Sequence, residues 1–148
     1  GLYHLWRPEL RDSQVDLIVQ EYQRRTLYWP PAIDLETRHL ESAGARRCER
    51  LITQVDHVRR ECGQVTIYVS ARGRKIMVSY GLWGSLWRPG TLLWLCDHGL
   101  EPEPLDGAPA WAWWQRCSDG IVPGITRRTG RTDRPYRHLL DLDEVRLS

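Results

Sequence analysis

The chain contains no Phe and no Asn, a single Lys (Lys75) and a single Met (Met77). It also lacks any apolar run near the roughly 18 residues that a membrane-spanning helix needs. The best stretch, Thr91 to Cys96, is only strand length. No charged start followed by an apolar segment and a small-residue cleavage site is visible, and the chain opens on Gly1, as a trimmed natural start would. Cysteine is sparse. Cys48, Cys62, Cys96 and Cys117 are too few for a disulfide scaffold. On one helix Cys48 and Cys62 would stand about 21 Å apart, too far to bond to each other. A reduced intracellular protein is expected. Also missing are CxxC and HxxxH pairs, a GxSxG elbow and a phosphate loop, since Gly124 and Gly130 flank Arg rather than Gly-Lys-Ser/Thr.

What is present fits one globular domain. The 148 residues are 41% hydrophobic and 27% charged, and a net charge of +2 gives no global pull toward nucleic acid or anionic membrane. The skew lies in 20 Arg and 8 Trp. Trp and Phe serve the same core role, so eight of one beside none of the other points to a constraint on the gene. A biased genome or an overlapping reading frame produces such a skew, and compact viral genomes hold many, which suggests a viral accessory protein.

Periodicity divides the chain into an extended arm over 1–12 and one domain over 13–148. A helix capped by Asp12 or Ser13 runs to about Arg25, with Val15, Ile18, Val19 and Tyr22 on one face. Tyr28-Trp29-Pro30-Pro31 stops it. A second helix, capped near Asp34, carries Leu40, Cys48, Leu51, Ile52, Val55, Val58 and Cys62 at helical steps up to Gly63, with Gly44 a candidate break. Then the period becomes two. Val65, Ile67 and Val69 alternate with polar residues, as do Ile76, Val78 and Tyr80, around Ala71-Arg72-Gly73-Arg74. That predicts a β-hairpin over about 64–80. Thr91 to Cys96 is a third strand, apolar on both faces and hence central or covered. Residues 99–110 are a loop, 110–118 a short helix or a strand, 127–134 a basic loop and 136–147 a closing helix. The fold class expected is α+β: two or three helices packed on a small antiparallel sheet containing the hairpin.

Three kinds of chemistry compete. Cys96-Asp97-His98 sets two soft ligands side by side, and Cys62, Cys117 and His57 could complete a zinc site. Cys117 or Ser85 with His98 could instead form a hydrolase pair. Without a paired spacing or a signature, reduced packing cysteines are the plainer account, and no catalytic residue, metal or cofactor is assigned. Charge is more informative. Residues 96–115 hold Asp97, Glu101, Glu103 and Asp106 with no Lys or Arg, while Arg127, Arg128, Arg131, Arg134 and Arg137 crowd the stretch that follows. Such an arginine loop can steer a protein partner or hold nucleic-acid phosphates. Trp83, Trp87, Trp94, Trp111, Trp113 and Trp114 are more than a small core buries. Exposed Trp83, Trp87, Trp113 or Trp114, with Arg127, Arg128, Arg131 and Arg134, are therefore candidate partner-binding residues.

Four stretches carry a resemblance: Tyr3-His4-Leu5-Trp6-Arg7-Pro8-Glu9-Leu10, Tyr28-Trp29-Pro30-Pro31, Tyr80-Gly81-Leu82-Trp83 through Trp87-Arg88-Pro89-Gly90, and Leu95-Cys96-Asp97-His98-Gly99. They resemble the Bet accessory proteins of foamy viruses over about a fifth of the chain. The resemblance implies a non-enzymatic antagonist that binds host APOBEC-type cytidine deaminases and keeps them out of virions. It transfers no role to any single residue. The expected function is thus a non-catalytic viral accessory protein that binds a host protein in the cytoplasm or nucleus. An RNA- or DNA-binding domain using the arginine loop is the second reading, and a small Cys/His zinc or hydrolase protein centred on Cys96, His98 and Cys117 the third.

Overall fold

The computed structural model describes residues 2–9, 11–98, 102, 105–120 and 140–145, with side chains up to residue 115. Its elements are β1 (Tyr3–Leu5), α1 (Asp12–Gln23), β2 (Ala32–Leu35), α2 (Thr37–Cys62), β3 (Val65–Ser70), α3 (Ala71–Ser79), a 3₁₀ turn (Trp83–Leu86), β4 (Thr91–Cys96), β5 (Trp111–Gly120) and β6 (Leu140–Val145). The strands form one sheet in sequence order, β1-β2-β3-β4-β5-β6. β1 to β5 run parallel, and β6 returns antiparallel along β5.

This corrects the expected fold class from α+β with an antiparallel sheet to α/β. Residues 65–70 are a strand, but residues 71–79, expected as the hairpin's loop and second strand, form helix α3. Ile76, Val78 and Tyr80 satisfy a period of two, yet Gly73, Ile76, Met77 and Tyr80 equally satisfy a helical one. Two local features decide for the helix. Ser70 caps it by accepting the Gly73 N–H at 3.1 Å. Gly73 and Met77 face the core, while Val78 is exposed. The segment thereby becomes part of the crossover that a parallel neighbour requires. Three further expectations are revised. Asp34 belongs to β2, and α2 begins at Thr37. The arm contributes β1, paired with β2. Within 136–147, expected as a closing helix, Leu140–Val145 instead forms strand β6. Residues 110–118, left between helix and strand, fall mostly in β5, whereas the basic loop 127–134 lies outside the described residues. Gly44 does divide α2, with φ 70 and ψ 169.

Packing follows from the winding. α2 packs against α1 and α3, so the three helices share one face of the sheet. Their apolar stripes meet Ile33, Leu35, Val65, Ile67, Val69, Leu93 and Leu95, all at most 3% exposed. Each such aliphatic side chain contributes about 1.5–3 kcal/mol on burial. Trp6 joins this core and donates its Nε1–H to Gln54 Oε1 at 3.0 Å, so the indole is buried without an orphaned donor. No described element covers the opposite face.

The close fit of α3 is testable. A Cβ on Gly73 would lie 2.9 Å from Val69 Cγ2 and 3.3 Å from Leu40 Cδ1. Gly73→Val should therefore cost about 1–3 kcal/mol in urea unfolding through overpacking. Gly84→Ala, where a Cβ meets nothing within 4 Å, should change stability little. Equal effects at the two positions would contradict the helix assignment.

Candidate functional site

Alternation along the strands sends a second set of side chains to the face away from the helices. The register aligns Tyr3 with Ala32, Asp34 with Tyr68, Tyr68 with Trp94 and Trp94 with Trp113. Four of these positions are aromatic, and Trp29 reaches over from the α1–β2 connection to join them. The rings contact one another mainly edge to face: Tyr3–Trp94 at 6.0 Å between centroids, Tyr68–Trp94 at 5.2 Å and Trp29–Trp113 at 5.4 Å. Trp94 and Trp113 are tilted at 6.5 Å. The result is a continuous aromatic run from β1 to β5. Its outer members remain open to solvent, Tyr3 at 56% and Trp29 at 49%.

A register shift at Leu93/Trp94 sets this arrangement, because the extra residue on β5 lets Trp111 pair with Leu93 and Trp113 with Trp94. Trp113 thus stays on the open face while Trp114 turns to the core, where it is 5% exposed and donates to the Asp97 carbonyl at 2.6 Å. Trp83 is also buried, packs against Trp87 at 4.8 Å and donates to the Asp106 carbonyl at 2.9 Å. The exposure expected for Trp83 and Trp114 is therefore not found: neither ring is available as an exposed anchor. Trp87 and Trp113 are half-buried. Arg127, Arg128, Arg131 and Arg134 lie outside the described residues. Trp29 and Tyr3, which the sequence did not single out as binding residues, complete the aromatic face instead. Their signal was faint: Tyr28-Trp29-Pro30-Pro31 marked a helix stop, and nothing local placed that loop beside β5.

The face has two ends. Toward the amino ends of the strands, Leu2, Trp29, Pro30, Ala32, Thr66 and Trp113 enclose an apolar cavity of about 280 Å³. Toward the carboxyl ends lies a polar cleft of about 530 Å³ that includes Asp34, Thr37, Tyr68, Ser70, Cys96, His98 and Gln115. There the Tyr3 hydroxyl donates to Asp34 Oδ2 at 2.6 Å and the Tyr68 hydroxyl to Gln115 Oε1 at 2.5 Å. Burial pushes the Asp34 carboxyl up to about 6; the Tyr3 hydrogen bond opposes the rise and the Glu36 carboxylate adds to it. Burial also raises the Tyr68 hydroxyl, with Cys96 beside it.

The Cys/His candidates are only partly assembled. Cys96 Sγ stands 3.5 Å from His98 Nε2 in the cleft. Cys62 and His57 are elsewhere on α2, His57 paired with Asp16 at 2.8 Å and Cys62 pushed up to about 11 by burial and by Glu61. Among the described residues, no group of three or more His, Cys, Asp or Glu is placed to hold a metal ion. The side chain of Cys117 lies outside the described ones. Comparison with family models, curated proteins and solved structures finds no match to this chain.

Asp34 sets a pH dependence of known sign. Its folded value lies above the ordinary 3.8, so the folded chain holds the proton longer than the unfolded one. The stability it contributes is full below about pH 4 and is lost as pH rises through about 6, by about 1–3 kcal/mol. Asp12 and Glu21, held low by hydrogen bonds from Gln54 and Arg50 and from Arg24 and Arg25, slope the opposite way. The difference between wild type and Asp34→Asn isolates the effect: relative to wild type, the variant should gain stability between pH 4 and 7 in urea titrations. Parallel pH profiles would contradict it.

Proposed function

We propose that this chain is a binding module, without catalysis, whose aromatic sheet face docks a protein partner. The observation that carries this reading is a five-stranded parallel sheet whose described helices all lie on one face. Parallel sheets are found almost only with both faces covered, because their strands are apolar on both sides. Here the second face is apolar at its centre and no described element lies on it, so a partner that supplies the missing layer gains the full hydrophobic benefit of closing it.

Chemistry favours protein over nucleic acid as that partner. Among the described side chains that β1 to β5 place on this face there is no Lys or Arg, whereas phosphate binding is built on cations. Tyr and Trp are the rings that anchor protein interfaces. Size is informative as well. Five strands about 4.8 Å apart, on average about six residues long at 3.3 Å rise, give a face of about 400 Å². That is about half of one side of a standard interface, and it matches one or two amphipathic helices better than a flat domain surface. The resemblance to Bet proteins makes a host APOBEC-type cytidine deaminase the first partner to test, with occlusion of its working surface as the mechanism and a viral accessory role as the context.

The test is a pull-down against such a deaminase with nuclease present, at low and high salt. Trp113→Ala and Trp29→Ala should each weaken capture by about tenfold or more, as hot-spot truncations do, while the circular dichroism spectrum stays unchanged. Capture should vary little with salt, since the contact is apolar. Binding that disappears with nuclease or falls steeply with salt would favour the arginine segment and nucleic acid. Self-association that is abolished by the same variants would instead identify a second copy as the missing layer.

A further inference from the structure

We propose that the cleft at the carboxyl ends of the strands is a binding site for a small organic cation, whose ammonium group is seated on Asp34 between Tyr3 and Tyr68. The strand order has no reversal point, so the cleft is not the usual ligand crevice of a doubly wound sheet, and the case for it rests on its own side chains. The cleft's volume, about 530 Å³, lies within the range of small-molecule sites.

The anchor is a carboxylate with an unmet need. Asp34 lines the cleft yet is only 4% exposed; Tyr3 satisfies Oδ2, and Oδ1 is buried without a hydrogen-bond partner. A buried acceptor left in that condition is costly, and a charged donor is the partner that relieves it most. Charge accounting within the cleft points the same way. Glu36 is ion-paired with Arg38, so these two largely cancel, whereas Asp34 has only the neutral Tyr3 hydroxyl. The Tyr3 and Tyr68 rings, 6.3 Å apart, offer their faces and edges to a cation or to its hydrocarbon stem.

An anion is the competing ligand, because α2 and α3 both begin beside the cleft. Yet the Ser70 hydroxyl already takes the Gly73 N–H of α3, and Glu36 stands with its carboxylate at the start of α2. An anion there would face two carboxylates.

The site needs no protein partner, so it is tested on the isolated full chain. Phenethylamine is the probe, with 2-phenylethanol and phenylpropionate as neutral and anionic analogues of similar shape, titrated by calorimetry at about pH 7.5, where the amine is charged. Phenethylamine should bind saturably in the millimolar range or better. Asp34→Asn should weaken it about tenfold or more, the loss expected for a hydrogen bond to a charged group, and both analogues should bind at least as poorly as the amine does to the variant. In the unmutated chain, saturating phenethylamine should move the carbon-13 titration of the Asp34 carboxyl to lower pH. That readout stands even if the variant folds poorly. No saturable binding, equal binding of the alcohol, or an Asp34 titration unmoved by the amine would overturn the assignment. Failure of the unmutated chain to capture the partner, with amine binding intact, would count against the docking face alone.

Discussion

The structure depends on the direction in which a parallel sheet is wound. β1 to β4 follow one another in sequence order, each joined to the next by a crossover that carries a helix, and crossovers of one hand place successive helices on one side when the order never reverses. Every consequence described above comes from that geometry. One face of β1 to β5 receives α1, α2 and α3 and becomes the aliphatic core. The other receives no helix among the described residues and presents a surface of rings. A doubly wound order would have covered both faces and left a crevice at the reversal point. This order leaves an open layer instead.

The two faces divide their chemistry accordingly. On the helix side, Leu and Val are closely packed, and Gly73 is needed where α3 comes within van der Waals contact of Val69 and Leu40. On the open side, small or polar residues such as Ala32, Thr66 and Gln115 are buried, although no described element lies above them. Neighbouring rings of Tyr3, Tyr68, Trp94 and Trp113 shield them. The aromatic residues thus substitute in part for a missing layer, which accounts for their size and for the edge-to-face contacts among them. The substitution is incomplete at both ends, and there the apolar cavity and the polar cleft lie.

Much of the helical content was legible in the sequence, because α1 and α2 bury residues at three- and four-residue steps and Gly44 and Gly63 mark the break and the end. Strands β3 and β4 were legible too. Their direction was not. Parallel and antiparallel neighbours share a period of two, and Ile76-Met77-Val78 fits either a strand or a helix until Ser70 is seen as a cap. Asp34 invited a helix-capping reading for a similar reason, since it stands three residues before Thr37 at the start of a long helical pattern. What made it a site residue is its alignment with Leu5 and Tyr68 across β1, β2 and β3, and registers between distant strands leave no local trace. Composition did show a surplus of tryptophan. It could not sort them, because Trp113 and Trp114 differ only in which side of β5 each one faces.

The central claim is that one face of the sheet is open in the free chain and covered in the complex. Hydroxyl-radical footprinting read residue by residue tests it most directly. In the free chain, Tyr3, Trp29 and Trp113 should label readily while Trp6, Trp83 and Trp114 stay protected, and adding the partner should protect the first group without altering the second. Strong protection of Trp29 and Trp113 in the free chain, or protection by the partner confined to residues outside this face, would contradict the account.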